Sequence, residues 1–341
     1  MNLLPSDEQT GIVEASRAFL SGQLPIARTR EMFGESSNID AGAWSEAAEL
    51  GWFGLGLPER FGGVGCGLAD EALLFREIGR SLASGPFLST VVAARVAAFA
   101  GHADLAEAIV SGQPVGFVVA ESHGTVSPDG VLNGPLQLVD ASGDLAVVVT
   151  PTIAALIDVT QLHDVEVVES VDPAVRLHRA LAHNVIPGAV VAVSIDPVAQ
   201  RAMVLAAAML NGITEASRDI GAEHAKVRVQ FGKPIGVNQA IKHPCADMAV
   251  KAQLAYAQTI FAAASLDEQR SDSEFHATGA LLVSASAAEF STAAALQILG
   301  GMGFTFEHDI HLYVKRTHLL TRLFHGTSHQ LGRLIDLPLA E

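Results

Sequence analysis

The chain has 341 residues, of which 49% are hydrophobic and 17% charged, enough apolar material for two or three packed domains and too little charge for a disordered chain. Lys and Arg number 21 against 37 Asp and Glu, a net charge of −16. That balance argues against a nucleic-acid partner and requires any phosphate-bearing ligand to meet a local cationic site. Cys66 and Cys245, far apart in sequence, exclude a disulfide framework and a cysteine metal cage.

The start, from Met1 to Leu20, carries early acids and no basic segment before an apolar core, so no signal peptide is expected. The apolar runs Leu145–Val159 and Ile186–Ile195 are interrupted by Thr, Pro or Gly and fall short of the ~18–20 residues of a membrane span. The expectation is a cytoplasmic protein without a span. From about Ser6 to Gly112 the pattern is helical. Ser6 precedes Asp7-Glu8-Gln9 as a helix cap, and Ile12, Ala15 and Phe19 recur at helical spacing. Ala41–Leu50 and Ala69–Leu82 repeat the pattern, with the Pro- and Gly-rich turn Pro58–Gly63 between them.

From Val115 to about Val193 short β-branched stretches predict antiparallel strands: Val115–Ala120, Val131–Leu132, Leu136–Val139, Leu145–Val149, Ala154–Asp158 and Val165–Glu169. Pro128-Asp129-Gly130, Asn133-Gly134-Pro135 and Ser142-Gly143 separate them. From Pro197 helix returns: Val198–Glu215 running on to about Val229, Ala240–Leu266, Ser273–Leu299 ended by Gly300-Gly301, and His308–Phe324. The expected domains are 1–112, helical; 113–194, β; and 195–341, a helical bundle. The fold class is mainly α with a central β-domain.

Two segments are more specific than the rest. Arg228-Val229-Gln230-Phe231-Gly232-Lys233-Pro234-Ile235 is followed by Gln239 and Ala246-Asp247-Met248, and Gln297-Ile298-Leu299-Gly300-Gly301-Met302-Gly303-Phe304 comes later. Arg228 offers a planar fork suited to pyrophosphate, and a bare Gly-Gly lets backbone approach a bulky ligand. With Gly51-Trp52, Pro58–Gly63 and Glu77-Ile78-Gly79-Arg80, these segments resemble the acyl-CoA dehydrogenase family. The resemblance implies that family's order: N-terminal helical domain, middle β-barrel-like domain, C-terminal four-helix bundle. It implies FAD, held largely across a subunit boundary, with Arg228, Gln230, Phe231, Gln297, Gly300, Gly301 and Thr327 at the cofactor-binding positions.

The family reaction removes an α-proton from an acyl-CoA thioester with a carboxylate while the β-hydride leaves to flavin. The family's usual glutamate precedes Gly-Thr, where this sequence reads Phe324-His325-Gly326-Thr327, and no Asp or Glu lies between Asp309 and Asp336. The other customary position, about seven helical turns before the Arg228 segment, falls near Ala202, and no acid lies between Asp196 and Glu215. The family's flavin-ring stretches have only weak counterparts, at Val119–Gly124 and Gln137–Asp140.

The residues that reach a neighbour's FAD are kept and the chain's own base is lost. That asymmetry resembles the non-catalytic subunit of heteromeric, steroid-CoA type members, in which a second subunit supplies the glutamate. The resemblance implies an acyl-CoA substrate and an electron-transferring flavoprotein as acceptor.

The alternatives are a complete homo-oligomeric dehydrogenase with a displaced base and a flavin-free structural subunit. His325 is the first substitute base to consider, with Glu121 and Asp309 behind it. No metal is expected from the His and Asp spacings around Glu307–His311. Cys245 reads as a buried small side chain, and Gly62–Gly67 as a turn.

Overall fold

The computed structural model describes residues 4–35 and 37–338; the outer ends of the first and last expected domains lie outside them. The chain begins with helices α1 (Asp7–Gln23), α2 (Ile26–Glu31), α3 (Ala41–Glu49), α4 (Leu68–Ser81), α5 (Phe87–Phe99) and α6 (Ala103–Val110). Strands β1 (Gly116–Ala120), β2 (Thr125–Val126), β3 (Leu132–Val139), β4 (Leu145–Val149), β5 (Ile153–Asp158), β6 (His163–Val168), β7 (Leu177–Val185) and β8 (Ala189–Ala192) follow. Then come α7 (Val198–Val227), β9 (Val229–Gln230), β10 (Lys233–Pro234), α8 (Gln239–Asp267), α9 (Ser273–Leu299), α10 (Ile310–Arg322) and α11 (Thr327–Asp336). The cap of α1 is the one its sequence promises: Ser6 Oγ accepts from Gln9 N while Gln9 Oε1 accepts from Ser6 N.

The chain forms two compact units. One holds the residues up to Ile26, Ala72–Ala83 and those from Met203 on; the other holds Ala27–Glu71 and Ser84–Ala202. The helices before Gly112 are therefore divided between them, and α4 and α7 each contribute to both.

In the unit built on the strands, the sheet runs β6-β7-β3-β1-β4-β5-β8, with β2 beside β3. Most neighbours are antiparallel, as expected, but β1 and β4 are parallel, Phe117 facing Val147. The cause is a skipped position. β3 ends beside the start of β1, and the short link 140–144 carries the chain past β1 to its other edge. Asn133-Gly134-Pro135, expected to separate two strands, lies inside β3. Gly134 takes φ +87° at a bulge, and a Cβ there would sit 2.6 Å from the His123 carbonyl oxygen. Val118, Leu136, Leu138, Val148 and Ile157 form the core of the sheet. Helix α5, buried on nearly all sides, packs against β1, β4, β5 and β8. Arg95 binds Asp196 through two 2.7 Å hydrogen bonds, and Arg201 binds Glu71 at 2.8 Å in the interior. Removing one partner of such a buried pair costs about 3–5 kcal/mol.

The second unit is a helical bundle. Helices α4 and α7 cross where neither has a side chain: a Cβ on Gly212 would lie 1.9 Å from the Arg76 carbonyl oxygen, and one on Gly79 2.0 Å from that of Met209. Glycine there is a packing requirement. Beside this crossing, Glu77 accepts two 3.0 Å bonds from Arg17, Arg76 binds Glu215, and Arg80 binds Asp219. Helix α9 with the turn after it is long and apolar enough to cross a membrane by length and composition, but half of that window is buried. Antiparallel packing on α8 covers it, with Thr259 facing Ser284 and Lys251 lying over the Phe290 ring. It is the bundle's core helix. The helices α2, α5, α6 and α11 and the strands β2, β7, β8, β9 and β10 lie outside the segments that the sequence delimits, and α10 is two residues shorter at each end than expected.

Candidate functional site

Helix α7 ends at Val227, before the expected Val229, and the segment carrying Arg228 is a hairpin. Arg228 N still donates to His224 O at 2.9 Å. The chain then folds so that Gln230 faces Lys233 and Val229 faces Pro234, and Ile235 N donates to Arg228 O at 2.8 Å. Phe231 and Gly232 form the two-residue turn, at φ +51° and +77°. Two consecutive left-handed residues are the backbone of a tight hairpin, which glycine adopts freely and phenylalanine only at a cost of about 1–3 kcal/mol. The consequence is a phenyl ring that is fully bare, at 101% exposure. Arg228 and Gln230 are exposed beside it. The Arg228 guanidinium makes no ion pair among the described residues.

The Gly300-Gly301 turn lies at the same end of the bundle. Gly221, near the end of α7, is within 3.5 Å (measured from its ideal Cβ) of Ile298 and Ala295 at the end of α9 and of Met248 early in α8. Gly300 takes φ +61° and ψ −139°, a conformation that favours glycine, and its N–H donates to Gln297 O. A Cβ on Gly300 or Gly301 would meet nothing within 4 Å, whereas one on Gly303 would strike the Leu296 carbonyl at 2.8 Å. Gly303 therefore serves packing, while the space over Gly300 and Gly301 is open. Gln297 is exposed next to it. His224, one helical turn before Arg228 and not among the residues expected from the sequence, lies at this end, within the electrostatic reach of Arg228 and His308. Burial lowers the His224 pKa, and the charges of Arg228 and His308 push it the same way. The i, i+4 spacing of His224 and Arg228 was the available signal.

His325 and Thr327 are elsewhere. His325, at φ +64°, closes the turn between α10 and α11, and Thr327 opens α11. Arg333 on that helix donates to Glu274 Oε1 at 2.6 Å, at the N-terminal end of α9. From Glu274 to Gln297 that helix rises about 35 Å. The structure thus gathers Arg228, Gln230, Phe231, Gln297, Gly300 and Gly301 at one end of the bundle and leaves His325 and Thr327 away from them.

The His325 ring lies 5.1 Å from that of His329. Burial lowers its pKa, and the nearby His329 and Arg333 lower it further. No carboxylate orients it among the described residues. A neutral, weakened imidazole is a poor base for an α-proton.

Asp309, one of the two carboxylates considered behind His325, stands at the N-terminal cap of α10 and is engaged. Glu215 and Asp219 are held by Arg76, Arg80 and Arg218. Glu121 faces Arg179 at 3.5 Å. Ala202, at the other customary base position, is fully buried. Asp140, within one of the weak flavin-ring counterparts, is buried and accepts from Asn38 Nδ2 and Arg176 N, which makes it a structural residue. Cys245 is half-buried, contrary to the expectation of a buried side chain, because it borders a cavity rather than the bundle core.

Comparison with known proteins identifies the family and the fold. Residues 6–109 match the model of the acyl-CoA dehydrogenase N-terminal domain and residues 193–336 that of the C-terminal domain. The acyl-CoA dehydrogenase IpdE2 of Mycobacterium tuberculosis is 30% identical over 97% of this chain and 98% of its own length. Two solved structures share the fold: the Tcur3481-Tcur3483 steroid ACAD G363A variant (TM-score 0.83, 24% identity, 97% of each chain) and the ChsE4-ChsE5 complex from Mycobacterium tuberculosis (TM-score 0.82, 19% identity, 100% of each chain). The chain belongs to the acyl-CoA dehydrogenase family, oxidoreductases that act on CH–CH groups.

Proposed function

We propose that this acyl-CoA dehydrogenase family member is the base-free subunit of a two-subunit enzyme, sharing an FAD with a second family member that carries the catalytic glutamate. The reaction is α,β-dehydrogenation of an acyl-CoA thioester, with steroid side-chain thioesters as the substrate class and an electron-transferring flavoprotein as acceptor. The observation that carries this reading is an imbalance: exposed side chains at one end of the bundle, with Arg228 making no ion pair among the described residues, and no carboxylate at either customary base position.

The residues present fit the dinucleotide part of FAD. The Arg228 guanidinium supplies a fork for a pyrophosphate, the Gln230 and Gln297 amides supply hydrogen bonds, and the Phe231 ring offers an apolar face. The open space over Gly300-Gly301 admits a bulky group against backbone. Bound FAD would supply the acceptor for the β-hydride, and the partner's glutamate would supply the base for the α-proton. This chain's residues bind and orient, and exclude water at their end of the cofactor. The likeness to the ChsE4-ChsE5 complex and to the steroid ACAD supports both the pairing and the substrate class.

The test is flavin absorbance of the purified chain, alone and co-expressed with the family member encoded nearest to it. The expected result is a colourless chain and a yellow pair with fewer than one FAD per chain. A chain that alone carries one FAD and reduces it with an acyl-CoA overturns the proposal and makes His325 the first residue to mutate.

A further inference from the structure

The base of the Arg228 hairpin borders an open cavity that the flavin reading does not use. Its volume is about 380 Å³, room for roughly a dozen waters or a ligand of about ten heavy atoms. Ala225, Pro234, Val237 and Ile241 make apolar walls, and Cys245 borders it. Gly236, also in its lining, packs closely on the end of α7: a Cβ there would lie 2.9 Å from the Ala225 carbonyl oxygen.

Its charged lining is entirely cationic, Lys226 and Lys242, in a chain whose net charge is −16. Lys226 is ion-paired with Glu223. Lys242 has no ion-pair partner among the described residues. It stands in the first turn of α8, whose cap residue Asn238 makes no side-chain cap bond, so the helix dipole adds positive potential to the same mouth. An apolar interior with one uncompensated ammonium at its rim matches a ligand with one anionic group on an apolar body.

We propose that this cavity is a binding site for a small amphipathic carboxylate, its apolar body among Ala225, Val237 and Ile241 and its carboxylate against Lys242. Cys245 makes the site directly readable, and Cys66, in the other unit, is an internal control. The experiment is maleimide alkylation of the full-length chain, followed by mass spectrometry at each cysteine, with octanoate and uncharged octan-1-ol as probes. Octanoate is expected to slow alkylation of Cys245 and leave Cys66 unchanged, with octan-1-ol far less effective. Lys242→Glu is expected to raise the octanoate concentration needed by roughly tenfold, through reversal of a charge near the carboxylate. Lys242 is exposed, so the variant should fold.

Any of three results overturns the site: no protection of Cys245, equal protection of both cysteines, or protection that Lys242→Glu leaves intact. Flavin content of the co-expressed pair is read separately, so failure of this site and failure of the shared-flavin reading are distinguishable.

Discussion

The two ends of helix α9 differ in a way that the residues themselves explain. At its C-terminal end, Arg228, Gln230, Phe231 and Gln297 are exposed, and the glycine pair leaves open space. Exposing a whole phenyl ring on a left-handed backbone costs stability and gains nothing within the chain, so the arrangement is intelligible as a surface for something outside it. At its N-terminal end, polar groups contact one another: Arg333 donates to Glu274, Gln330 to the Phe324 carbonyl, and the exposed His325 ring lies beside that of His329. At the customary base position there, the sequence has His325 in place of a carboxylate. On the proposed function, one end would hold the cofactor and the other would leave the proton removal to the partner subunit.

Substitutions can break that contrast. Arg228→Ala is expected to have the largest effect on function. Loss of a charge-assisted contact worth roughly 1.5–3 kcal/mol should weaken FAD retention by the assembled pair about 10- to 150-fold, read by flavin release on dilution. Unchanged retention would remove Arg228 from the site. Gly301→Leu separates function from fold. Its Cβ meets open space, so thermal stability should move by no more than about 0.5 kcal/mol while flavin occupancy falls sharply. Full occupancy would show that nothing approaches the turn.

A smaller effect tests the scaffold joining the two ends. Burial alone would raise the Asp219 pKa, but the hydrogen bonds and charges of Arg80 and Arg218 outweigh it and hold the carboxyl below its ordinary value. A lowered folded pKa contributes stability above the unfolded pKa and loses it as pH falls through the folded one. Asp219→Asn should therefore cost about 1 kcal/mol near neutral pH, and the deficit should vanish on acidification below pH ~4, measured by melting temperature against pH. A deficit that persists in acid would mean the ion pairs are not its source.

His325→Ala should do least, changing turnover of the pair by less than about twofold. A large fall in turnover with FAD still bound would place a displaced base at this end and reverse the contrast.

Much of this was legible in the chain order of residues. Ser6 and Gln9 announced the first cap, and Gly300-Gly301 marked the end of α9. Val198–Val227 and Gln239–Asp267 were visible from helical spacing to within two residues at each end. These are local signals, set by neighbours a turn apart. The parallel β1–β4 pair and the unbroken β3 were not legible. Strand partners and bulges depend on residues far along the chain, and Asn133-Gly134-Pro135 reads as a turn until Asn133 is seen accepting from Asn184 N.

By itself, the sequence determined the family, the run of helix then strand then helix, and the absence of a carboxylate at both customary base positions, because those are questions of which residues occur and at what spacing. Only the tertiary structure decided that six candidate residues share one end of the bundle while His325 and Thr327 lie away from it. It alone showed that Phe231 stands bare on a hairpin, and that Lys242 and Cys245 border a cavity. Exposure, open space and the distance between helix ends arise from how the elements pack, which no local pattern encodes.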